Sequence, residues 1–97
     1  MFLVSVLIYI KEGKFPQYEK YENIVLSLLE NYKGDLCMRL PIPTDSWLSS
    51  DINCPHELHI LSFPSEDAFH GFLADPVRKQ WDRVRIETIE HSIVMTS

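Results

Sequence analysis

His56-Glu-Leu-His-Ile-Leu-Ser-Phe63, then Pro64-Ser65, then Glu66-Asp-Ala-Phe-His-Gly-Phe-Leu-Ala-Asp-Pro76: the reading of this stretch decides the fold. The first part, ending on Phe63, reads as a strand. Pro64 stops it. Ser65 is an N-cap, and Glu66 and Asp67 suit the positive end of a helix. Ala68, Phe69, Phe72 and Leu73 fall at helical spacing and form a compact apolar face. Asp75-Pro76 repeats the cap-then-proline start, so a second helical piece is predicted with Val77, Trp81 and Val84 inward.

Working outward, Phe2-Leu-Val-Ser-Val-Leu-Ile-Tyr-Ile10 is apolar at almost every position, as in a strand buried on both faces. Residues 15–32 have helical spacing, with Phe15, Tyr18, Tyr21 or Glu22, Val25, Leu28, Leu29 and Tyr32 on one stripe. Pro16 fits the first turn and Gly34 is a natural stop. Residues 35–40 are a short strand cut off by Pro41 and Pro43. Residues 41–55 lack periodicity and exceed the usual connection of about 4–6 residues, which suits either a lid or arm, or a loose hairpin link. Residues 91–96 read as a last strand.

The order strand, helix, strand, strand, helix, strand is the ferredoxin-like α+β arrangement. It predicts a four-stranded antiparallel sheet with the first and third strands central and the helices on one face. The 97 residues make one domain, 1–97. Alternation along each strand then divides the sheet faces. Sorting by apolar uniformity puts Val4, Val6, Ile8, Leu58 and Ile60 under the helices, with Leu36, Met38 and Leu40. The open face would carry Leu3, Leu7, Leu61 and Phe63 alongside Tyr9, Arg39, Glu57 and His59. So much apolar surface calls for cover, and a second copy related by a two-fold axis supplies it. A homodimer is expected.

Composition narrows the partners. A formal net charge of −5 disfavours nucleic acid, since phosphate binding needs clustered Lys and Arg. Arg78, Lys79, Arg83 and Arg85 are interleaved with Asp82 and Glu87 and read as a solvated helix face. Cys37 and Cys54 form no disulfide framework and no Cys-x-x-Cys, so a reducing, cytoplasmic setting is expected. Phe2–Ile10 lacks the basic flank of a signal peptide and falls far short of the ~20 residues of a membrane helix. No membrane partner is expected.

The stretch 56–76 resembles the dimeric α/β-barrel superfamily. The strand ending in Phe63, the acidic-Ala-aromatic helix start, Pro76 followed by Arg78 and Lys79, and Phe15 with Tyr18 carry the likeness. Small bacterial members of unknown function are nearest, and antibiotic-biosynthesis-monooxygenase-like proteins more distant. The resemblance implies a dimeric barrel. No catalytic motif of a named enzyme maps onto the chain.

Tyr9, Arg39, Glu57 and His59 are the candidate ligand-facing group, with His59 as candidate general base and Arg39 and Tyr9 steadying an oxyanion. Trp47 in the long loop could cap the cavity or pack on the partner subunit. The plain alternative is an Arg39–Glu57 cross-strand pair with His59 satisfied beside it. His56 and His59 point to opposite faces of a strand and cannot share an ion, so no metal is expected. No glycine-rich phosphate loop occurs, and no cofactor is expected. Three functions remain open: a barrel binding a small, partly apolar molecule between sheet and helices or between two sheets; a cofactor-independent oxygenase or isomerase; and a structural module without ligand.

Overall fold

The computed structural model describes residues 1–48 and 51–97. Four strands, β1 (Phe2–Ile10), β2 (Asp35–Pro41), β3 (Glu57–Phe63) and β4 (Ile89–Thr96), form one antiparallel sheet in the order β2-β3-β1-β4. Helix α1 (Phe15–Ser27) links the first two strands. Helices α2 (Glu66–Leu73), α3 (Pro76–Gln80) and α4 (Asp82–Thr88) link the last two. This is the expected α+β ferredoxin-like chain path, with β1 and β3 central.

The caps act where the sequence placed them. Ser65 Oγ accepts from the Ala68 N–H at 3.1 Å, and Asp75 Oδ1 from the N–H groups of Val77 and Arg78 at 2.8 and 3.3 Å. Helix α1 ends earlier than expected and passes into a 3₁₀ turn over Leu29–Tyr32. The left-handed residue that closes this turn is Lys33, not Gly34. Gly34 is required for another reason: a Cβ there would stand 2.8 Å from the ring of Phe63.

The core joins Val4 of β1 and Leu61 and Phe63 of β3 to Tyr21 and Val25 of α1 and to Phe69 and Phe72 of α2. This corrects the assignment of faces. Val4 pairs with Leu61, Val6 with His59 and Ile8 with Glu57, and directly opposed residues share a face. The helix-facing set of β3 is therefore Glu57, His59, Leu61 and Phe63, while Leu58 and Ile60 face away. Apolar uniformity chose the wrong set because two polar side chains are buried with partners.

Strand β2 is corrected likewise. Its register against β3 shifts between Leu36 and Met38, where Cys37 is the extra residue. Beyond that bulge Arg39 opposes His59 on the helix side, and Met38 and Leu40 oppose Ile60 and Leu58 on the other. The bare face thus gathers Leu3, Leu7, Met38, Leu40, Leu58, Ile60, Ile93 and Met95. Met38 and Met95 are 42% and 48% exposed. No described helix is long and apolar enough to cross a membrane.

Candidate functional site

A cluster of polar side chains and a cavity lie between the sheet and the helices. Tyr18 and Glu22 sit one turn apart on α1 and turn the same side to the sheet, where Glu57 and His59 of β3 and Arg39 of β2 meet them. Glu57 Oε1 accepts from the Tyr18 hydroxyl at 2.7 Å and from Arg39 Nε at 3.0 Å, and lies 2.9 Å from His59 Nε2. Arg39 also reaches Glu19 Oε1 at 2.9 Å. An ionised Glu57 assigns the imidazole proton to Nε2, so Nδ1 keeps its lone pair. Nδ1 faces Glu22 Oε2 at 3.9 Å.

Burial and charge set the protonation states. Burial pushes the Glu57 carboxyl up, but hydrogen bonds from Arg39, His59 and Tyr18 outweigh it and leave it below the usual carboxylate range. Burial lowers His59, against a smaller opposing pull from Glu57, so the imidazole is held neutral. Tyr18 is raised by burial and by the neighbouring carboxylates. Glu22 is 6% exposed, and among the described residues no hydrogen bond holds its carboxyl as the donors hold Glu57. Burial pushes it up to about 7, against the pull of Arg39.

Glu22 and His59 open onto a cavity of about 310 Å³. Val4, Val6 and Ile8 form its floor, and Val25, Phe69 and Phe72 its roof. Arg78 of α3, Asp82 and Arg85 of α4, and Ser92 and Val94 of β4 also line it. Val94 is 52% exposed and marks the mouth beside the edge strand. The volume lies at the low end of the ~300–1,000 Å³ usual for ligand pockets, and the mixture of apolar walls with a few polar groups is also usual.

Of the residues singled out from sequence, the structure brings Arg39, Glu57 and His59 together, on the helix side of the sheet rather than the open side. Of these, His59 lines the cavity. Tyr9 lies on the opposite face, stacked on His91 at 4.1 Å, with its hydroxyl donating to the Asn53 carbonyl at 2.6 Å. Trp47 donates from Nε1 to the Ile52 carbonyl at 3.3 Å within the long loop and is not in the cavity wall. Ser49 and Ser50 of that loop lie outside the described residues. Glu22, Arg78 and Arg85 were missed. Glu22 had a signal, a carboxylate at a position of the apolar stripe of α1. Arg78 and Arg85 had none, because they alternate with exposed Lys79 and Arg83.

Comparisons place this architecture among known proteins by fold. Neither protein-family profiles nor curated proteins give a sequence match. Solved structures do match. A protein of unknown function from Rhodopseudomonas palustris superposes with TM-score 0.82 at 15% identity, over 99% of this chain and 79% of that one. A NIPSNAP family protein of unknown function from Agrobacterium tumefaciens gives TM-score 0.69 at 20% identity, over 100% and 86%. A DABB family protein with a ferredoxin-like fold from Mesorhizobium loti gives 0.69 at 14%, over 99% and 93%. The chain is thus an α+β protein of the ferredoxin-like class, with structural neighbours among small bacterial proteins of unknown function.

Proposed function

We propose that the protein is a homodimeric barrel that binds a small, partly apolar molecule in the cavity between its sheet and helices. The observation that carries this reading is the cavity of about 310 Å³, with apolar floor and roof and with Glu22, His59 and Arg78 in its wall. A thermal-shift screen of small oxygenated compounds tests it. Hits should raise the melting temperature of the wild type and lose that effect in Val94→Trp, which plugs the mouth at an exposed position. An absence of hits, or hits indifferent to Val94→Trp, would sink the reading.

A second reading makes the protein a cofactor-independent isomerase or oxygenase acting by proton transfer. The Nδ1 lone pair of His59 set 3.9 Å from a buried Glu22 carboxyl favours it. A base and an acid held side by side in a cavity suit removal of a proton from carbon. A bound compound with an acidic C–H should exchange it for deuterium in D₂O with the wild type and not with His59→Asn. Exchange at equal rates in both proteins rejects His59 as the base.

A further inference from the structure

Among the described residues, Arg78 of the cavity wall keeps a buried side-chain nitrogen that the fold leaves without a hydrogen-bond partner. Its backbone N–H is capped by Asp75. Its guanidinium lies 5.6 Å over the Phe72 ring, and Nη1 donates to the Leu73 carbonyl at 3.3 Å. Nε is buried with no hydrogen-bond partner among the described residues. A buried guanidinium N–H without an acceptor is costly and uncommon.

The other cations near the cavity are already balanced. Arg85 Nε is held by Asp82 Oδ1 at 2.7 Å. Arg39 is held by Glu57 and Glu19 at 3.0 and 2.9 Å. Among the described residues no ion pair joins Arg78 to a carboxylate. With Arg85 paired to Asp82, Arg78 is the cation of this wall without an ion pair among the described residues, and beside the apolar floor and roof it selects one anionic group attached to an apolar body. Guanidinium geometry favours a carboxylate, whose two oxygens match adjacent N–H groups.

We propose that the ligand of this cavity is a small apolar monocarboxylate whose carboxylate is held by Arg78. This rests on the cavity being a ligand site. Glu22 is compatible with it from the same cavity wall, because a carboxyl raised to about 7 is only partly ionised at neutral pH and offsets Arg78 only in part.

The test is a panel of carboxylates paired with their carboxamides, including phenylacetate with phenylacetamide, titrated by NMR into the wild type and Arg78→Gln. Cavity resonances of Val25 and Leu73 report occupancy. The best acid should bind at least about tenfold more tightly than its amide, in keeping with a charge-assisted hydrogen bond. Arg78→Gln should erase that preference and keep amide binding. Amides binding as well as acids, or an acid preference that survives Arg78→Gln, would overturn this proposal and leave the cavity reading standing. If no pair perturbs the cavity resonances, both fall together. The wild-type comparison of acid with amide stands even if the variant does not fold.

Discussion

Glu57 Oε1 takes donors from three elements, Tyr18 of α1, Arg39 of β2 and His59 of its own strand. In Glu57→Gln one neutral carbonyl oxygen must serve the donors of Tyr18, Arg39 and His59, and an amide NH2 replaces the oxygen that accepts from Arg39 Nη2. Glu57→Gln should therefore destabilise the fold by about 2–3 kcal/mol in urea denaturation. A loss under ~0.5 kcal/mol would mean that water satisfies these groups. Glu22 behaves oppositely. Its folded-state value, about 7, lies above its ordinary 4.5. Stability from this group is fully present below about 4.5 and is lost as pH rises through about 7, because the unfolded chain gives up the proton first. Glu22→Gln stays neutral throughout. The stability of the wild type relative to Glu22→Gln should fall by about 3 kcal/mol between about pH 4.5 and 8. A difference independent of pH would show that Glu22 titrates normally.

At the scale of elements, what was legible had local causes. Ser65 and Asp75 cap the helices they precede, and the β1 run, apolar at almost every position, forms a central strand. What was illegible depended on partners distant in sequence. Glu57 and His59 look too polar for a helix-covered face until Tyr18, thirty-nine residues from Glu57, supplies the hydrogen bond. The bulge at Cys37 inverts the parity of β2, and no residue type announces it. Gly34 was read as a helix stop, yet its need is steric. Gly34→Ala drives a methyl into the Phe63 ring edge and should cost about 1–3 kcal/mol. Gly13 has φ +77 and nothing within 4 Å, so Gly13→Ala should cost only about 1 kcal/mol of backbone strain. Chemical denaturation of both variants checks the order. Equal losses would place the Phe63 ring farther from Gly34.

For the whole molecule, the two faces of the sheet have separate work. The helix side holds the cavity and its polar groups. The other side leaves Leu3, Leu7, Met38, Leu40, Leu58, Ile60, Ile93 and Met95 with partial or no cover from the chain's own helices. Covering such a patch with a second copy through a two-fold axis buries identical surfaces against each other. The wild type should therefore run as a dimer in light scattering across micromolar concentrations. Met38→Glu with Met95→Glu should shift it to monomer without unfolding, since both positions already face water within one chain. A wild type that stays monomeric throughout would refute the interface. A dimer untouched by the double variant would move it to another surface. The corrected faces add a sharper demand. Had Glu57 and His59 looked out from the open side, breaking the dimer would have dismantled the site. With both groups on the helix side, the monomeric double variant should still bind whatever ligand the wild type binds, with similar affinity in an NMR titration. Loss of binding on dissociation would show that the partner subunit completes the cavity.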